Sequence, residues 1–180
     1  IYLSGITLGI LEPNKRTRFL AVLENARTAG KTIAFDPNLR PKLWKSGDEM
    51  TTEIMRGAAV SDLVLPSFED EADWFNDADP NATAQRYLDA GAVTVVVKNG
   101  AGSVLYAEGN NRAEVHVSPL DNVVDTTAAG DSFNAGMFAG HAAGKSLEEG
   151  IRYACALSRQ VIAQRGALVP VDLSMLNPTT

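Results

Sequence analysis

The run AVTVVVKNG, residues 92–100, constrains the fold of this chain more than any other stretch. Val93, Thr94, Val95, Val96 and Val97 are all β-branched, so they are stiff at χ1 and suit a pleated surface. An apolar run without polar alternation is buried on both faces, which is the environment inside a parallel sheet. Other segments fit the same sheet. IYLSGITL reads as a short strand running into a loop, TIAFDPNLR as a buried strand stopped by Pro37 and Pro41, and SDLVLPS as a further buried strand. Helical spacing fills the intervals at residues 14–30, 48–59, 69–76 and 79–90, the last begun by Asp79 with Pro80 and closed by Gly91. Strands alternating with helices are βαβ units, so the expectation is an α/β fold with a doubly wound, mainly parallel sheet and helices on both faces.

The remaining third is organised by local signals. SVLYAE and RAEVHVS form a strand pair around the turn at residues 109–111, and helices follow at 129–143 and 146–164, the second opened by the capping box of SLEE. Gly136 and Gly140 read as a close packing surface between helices. With 180 residues, 45% of them hydrophobic, the chain has material for one globular domain. A net charge of -6 opposes binding to nucleic acid or an anionic membrane surface. Cys155 is the one cysteine, which excludes an internal disulfide and reads as a small core residue. No run approaches the ~20 apolar residues of a membrane span, and no secretory leader opens the sequence, so a cytoplasmic protein is expected. His116 and His141 have no Cys or His cluster around them and make no metal site.

In open sheets of this kind ligands sit at the carboxyl ends of the strands. Three loops carry suitable chemistry there. DTTAAGDSF, residues 125–133, places a small-residue turn before a helix. The N–H groups of Ala128, Ala129 and Gly130 are unobstructed by bulky side chains, and the helix N-terminus adds partial positive charge, so the turn is an anion site. Asp131 at its edge is a candidate general base that takes a proton from a substrate hydroxyl as a phosphoryl group arrives. Asp125 and Thr127, on the same loop, either orient a ligand or form an Asx or ST turn. Asn38 and Arg40 end the second strand, where a guanidinium engages a carboxylate or phosphate bidentately. Lys98, Asn99, Gly100 and Gly102 follow the β-branched run, without the spacing of a Walker A or Rossmann fingerprint. Glu69, Asp70 and Glu71 crowd the first turn of the acidic helix.

In order, FDPNLRPKLW, VVVKNGAGS, DTTAAGDSFNAG and RGA resemble the motifs of the ribokinase-like (PfkB) carbohydrate kinases, over essentially the whole chain. FDPNLRPKLW, LPSFEDE and VVDTTAAGDSF together are most similar to the 2-keto-3-deoxygluconate kinases within that family. The resemblance implies a ribokinase-like fold whose N-terminal strands, Gly-rich sugar motif and β-lid have no counterpart here, so the chain reads as the C-terminal, nucleotide-binding portion of a longer kinase. It implies Asp131 as catalytic base and Ala128, Ala129 and Gly130 as the anion hole, with Ala128 where glycine is usual. It implies Asn38, Arg40 and Asp125 at the sugar acid, and Lys98, Asn99, Gly100 and Gly102 along ATP. Asp125 and Thr127 are also the place for a monovalent cation. Glu69, Asp70 and Glu71 would organise Mg²⁺ indirectly, although Ser67 stands where the family has Asn. The implied partners are a small sugar acid and ATP, with a homo-oligomer left open for the full-length protein. Three alternatives remain: a fructokinase-type enzyme of the same family, a nucleotide-binding module without catalysis, and a structural α/β domain whose glycines serve turns alone.

Overall fold

A computed structural model describes residues 1–117 and 120–176 of the chain. In chain order the elements are β1 (Tyr2–Ser4), α1 (Gly5–Ile10), α2 (Pro13–Thr28), β2 (Ala34–Asp36), a 3-10 turn (Pro41–Leu43), α3 (Gly47–Ala59), β3 (Leu63–Val64), α4 (Phe68–Phe75) and α5 (Pro80–Asp89). They continue with β4 (Thr94–Val97), β5 (Val104–Glu108), β6 (Asn111–Val115), α6 (Ala129–Ala142), α7 (Leu147–Ile162) and a final 3-10 turn (Leu173–Leu176). The six strands form one mixed sheet in the order β1-β2-β3-β4-β5-β6. β1 to β4 are parallel, and β5 turns back antiparallel to β4 with Val96 opposite Tyr106. The α/β expectation holds, and the β-branched run is interior from Val95 to Val97, all buried, whereas Val93 at its start is 49% exposed. The hairpin of β5 and β6 turns at Gly109, whose φ of +57° explains the glycine. Ser118, the last residue expected in that pair, lies outside the described residues.

The chain groups into two compact units, one comprising Ile1–Gly100 with Leu105–Glu114, the other Ala101–Val104 with the chain from Val115 onward. The first has an apolar core of Leu8, Ile33, Phe35, Met50, Ile54, Val64 and Tyr87 among others. Helix starts here follow the local chemistry: the Ser46 side chain accepts the N–H of Glu49, and that of Asp79 accepts the N–H of Ala82. In the second unit the SLEE capping box is present, with Ser146 and Glu149 bonded reciprocally. α6 lies against α7, and a Cβ on Gly136 would stand 2.5 Å from the Cα of Ala154, one on Gly140 2.9 Å from that of Gly150. Those glycines serve helix contact, as the spacing suggests. Cys155 is buried on α7, and burial pushes its thiol up to about 11, which suits an inert core residue.

The first segment differs from its sequence reading. IYLSGITL runs from strand straight into helix α1 instead of a loop, because its glycine is demanded by packing and not by a turn. Gly5 is buried at the start of α1, and a Cβ there would overlap the carbonyl oxygen of Pro37 and stand 2.5 Å from Cδ1 of Ile54. The chain thus lays the loop after β2 directly on the backbone of α1. Gly5→Ala is expected to cost about 1–3 kcal/mol by overpacking, read as a lower urea midpoint at unchanged m-value. A change under about 0.5 kcal/mol, the range of neutral surface substitutions, would show that the loop yields freely.

Candidate active site

In the first unit, three parallel strands deliver a group of charges at their carboxyl ends. Asp36 is the last residue of β2, and its carboxylate lies 3.4 Å from Nζ of Lys98, just beyond β4. Both side chains are largely buried, at 4% and 11% exposure, so water screens the pair poorly. The backbone of Lys98 is fixed as well: its N–H donates to Pro66 O at 2.9 Å, and its carbonyl accepts the N–H of Phe68 at 2.8 Å. The start of α4 is thereby tied to the end of β4. Asp70, in the first turn of that helix, has its carboxyl raised from the ordinary range by burial, partly offset by the charges of Arg40 and Lys98. Glu69 and Asp36 push it further up. Asp36, Arg40, Asp70 and Lys98 therefore form one electrostatic neighbourhood.

The loop after β2 reaches this group in an unusual conformation. Asn38 has a φ of +39°, a left-handed setting that Asn tolerates better than most residues. Arg40 is exposed, and its Nη1 donates to the Leu39 carbonyl at 2.8 Å. Beyond Lys98, Asn99 is half-buried and Gly100 has a φ of +52°, so the turn needs glycine for its backbone. Gly102, in the second unit, is exposed.

The three adjacent acids of α4 have three different surroundings. Glu69 is exposed, Asp70 faces the charge group, and Glu71 points into the protein. Oε2 of Glu71 accepts from Nη2 of Arg86 at 2.7 Å and from the Tyr87 hydroxyl at 2.9 Å, whereas Oε1 is buried without a hydrogen-bond partner. Arg86 also binds both oxygens of Asp77 and stacks 3.7 Å from the centre of the Phe75 ring. Burial raises Glu71 to about 7 in spite of Arg86. Among the described residues, no group of three or more His, Cys, Asp or Glu could hold a metal ion directly.

In the second unit, Asp125 organises the loop before α6. Oδ1 accepts the N–H of Thr127 and Oδ2 that of Gly166, both at 2.9 Å. The bonds from Thr127, then that from Gly166, hold its carboxyl down at about 2. This is the Asx turn weighed from the sequence, with an added tie to the RGA segment. Ala128 caps α6 with a φ of +61°, and a methyl side chain supplies no cap to the helix's first N–H groups. The N–H of Ala129 turns back to Thr126 O at 3.1 Å, and the Ala129 carbonyl accepts the Ser158 hydroxyl at 3.1 Å. Asp131 is exposed in the first turn of α6.

The sequence profile of the pfkB family carbohydrate kinases matches residues 1–173. The chain belongs to this family. It is 36% identical over 175 residues to the 2-dehydro-3-deoxygluconokinase of Dickeya dadantii, covering 96% of this chain and 56% of the relative. It is 40% identical over 119 residues to a fructokinase of Rhizobium leguminosarum, covering 65% of this chain and 36% of that protein. In structure it resembles the aminoimidazole riboside kinase of Salmonella enterica, solved with aminoimidazole riboside and an ATP analogue. That match has a TM-score of 0.80 at 27% identity and covers 97% of this chain and 58% of the other. The chain spans about half the length of the curated relatives it matches.

For this pfkB family chain the alanine at 128 has a measurable consequence. Its backbone has a φ of +61°, the left-handed region that favours glycine. A Cβ in the left-handed region costs roughly 1–2 kcal/mol, part of which glycine returns as unfolded-state entropy. Ala128→Gly is therefore expected to stabilise the second unit by about 0.4–1 kcal/mol, measured as a raised unfolding midpoint; an equal loss would mean that the methyl group packs usefully. Asp36, which the sequence motifs leave without a role, joins the charge group, and the signal that singles it out is a carboxylate in an otherwise apolar, fully buried strand.

Among the described residues, no helix is long and apolar enough to cross a membrane.

Proposed function

We propose that the chain is the nucleotide-binding and catalytic portion of an ATP-dependent sugar-acid kinase that phosphorylates a primary hydroxyl of 2-keto-3-deoxygluconate. The observation that carries the reading is the exposed carboxylate of Asp131 in the first turn of α6, directly after a left-handed, uncapped N-terminus. Asp131 accepts the proton of the attacking hydroxyl, as a general base must. Ala128, Ala129 and Gly130 frame the anion hole; since the N–H of Ala129 is bonded to Thr126 O, the N–H groups of Gly130 and Asp131 carry most of it. By their sequence resemblance, Asn38 and Arg40 are assigned to the sugar acid, with the Arg40 guanidinium engaging the substrate carboxylate, and Asp125 is assigned to orienting substrate.

Mg²⁺–ATP, when bound, supplies the γ-phosphoryl group with its charge partly neutralised. Lys98, Asn99, Gly100 and Gly102 line the nucleotide. The donor set fits indirect Mg²⁺ binding: Asp70 is partly buried and faces cations, which suits a water-mediated contact, whereas Glu69 points to solvent and Glu71 is spent on Arg86 and Tyr87. Asp125 and Thr127 could hold a monovalent cation, since a carboxyl held down at about 2 keeps its charge at every physiological pH.

The match to a fructokinase favours a second reading with a neutral sugar. A panel of sugar acids and neutral hexoses followed by ADP release separates them. The sugar-acid reading predicts at least tenfold preference for the acid, and a preference for fructose refutes it.

A further inference from the structure

Arg16 lies on α2 and is buried. Its guanidinium is used on every side. Nε donates to Leu8 O at 2.8 Å and Nη2 to Leu11 O at 3.1 Å, closing the end of α1. Nη1 pairs with Glu49 at 3.3 Å and Glu53 at 3.7 Å on α3. The flat face stacks on Trp44, 4.6 Å from the ring centre. Glu49 then passes the link on, because its other oxygen accepts the N–H of Lys45 at 3.0 Å.

Trp44 and Lys45 are the far end of the loop that begins at Asp36 and carries Asn38 and Arg40. The near end is fixed by β2 and by the contact of Pro37 with Gly5. Between these ends sits the left-handed Asn38, a conformation that persists only where surroundings over-determine it. We infer that Arg16 is a positioning residue for substrate recognition: by stacking on Trp44 and, through Glu49, holding the Lys45 amide, it sets the loop so that Arg40 meets the carboxylate of an acidic sugar. The inference rests on the proposed sugar-acid reading. A lysine cannot replace this residue, because it lacks both the planar face and the fork that serves two carbonyls and two carboxylates.

The test measures KM for 2-keto-3-deoxygluconate, for fructose and for ATP in the full-length protein with Arg16→Met, Arg16→Lys and Arg40→Met. Trp44→Leu, at a half-buried position, is the second route should Arg16→Met fail to fold. The expected result is a KM for the acid raised at least tenfold in Arg16→Met and Trp44→Leu, with KM for ATP and for fructose within twofold of wild type and Arg16→Lys recovering little. Equal losses for acid, fructose and ATP, or an unchanged KM for the acid while Arg40→Met raises it, overturn the role of Arg16. An unchanged KM for the acid in Arg40→Met overturns the underlying reading, and the inference with it.

Discussion

Asp131→Asn is expected to lower kcat about a thousandfold, within the usual 10²–10⁴ range for removal of a general base, and to leave ATP affinity nearly intact. Asn preserves the size of the side chain and its place in the first turn of α6, but it cannot accept the hydroxyl proton. The variant loses one negative charge at a helix N-terminus, worth about 0.3–1 kcal/mol of stability, so it remains folded. Loss of a carboxylate next to an anion site would, if anything, favour a polyphosphate. Single-turnover rates and ATP titration by calorimetry separate the two effects. A variant retaining more than a third of wild-type turnover would remove Asp131 from the chemistry.

The largest effect on stability is expected from Arg86→Leu, at about 3–5 kcal/mol near pH 8, the usual cost of breaking a buried ion pair from one side. Arg86 is the partner of two poorly exposed carboxylates, Glu71 at 1% and Asp77 at 8% side-chain exposure. Without it Glu71 keeps only the Tyr87 hydroxyl, and its second oxygen is already unpartnered. The cost has a pH dependence of fixed sign. Glu71 titrates at about 7 in the folded protein against a reference of 4.5, so between those values the native state holds a proton that the unfolded chain does not. Stability of the wild type therefore falls as pH rises through this window, from this group, and levels off above it. Removing Arg86 takes away the main influence that lowers Glu71, so the variant should lose more at pH 8 than at pH 5. Glu71→Gln in the wild-type background should flatten the slope. Urea midpoints at the two pH values measure all three, and equal losses at both would show that Glu71 stays ionised throughout.

What could be read from the sequence was what depends on neighbours in the chain. The Asp79–Pro80 start of α5, the Ser146 capping box and the turn at Gly109 are local chemistry, and each stands where its residues indicate. The β-branched run gave the interior strand, because burial on both faces leaves that composition. Features set by distant packing were not legible. Gly5 looks like a loop residue until Pro37 is found against it. The buried segment SDLVLPS forms only a two-residue strand, since Pro66 has no N–H to give to a ladder. Within the acidic turn, sequence could not separate Asp70 from Glu71. One step along a helix is a rotation of about 100°, enough to turn Asp70 toward Arg40 and Lys98 and Glu71 toward Arg86 and Tyr87.

The central claim is that this chain carries the phosphoryl-transfer machinery of a sugar-acid kinase. Its most direct test is ³¹P NMR of the full-length protein with Mg²⁺–ATP and 2-keto-3-deoxygluconate. The account predicts loss of the γ-phosphate signal, growth of ADP and a new phosphomonoester on the primary hydroxyl, all absent with Asp131→Asn. ATP bound but unconsumed in the presence of the acid, or a phosphomonoester formed only with a neutral hexose, would contradict it.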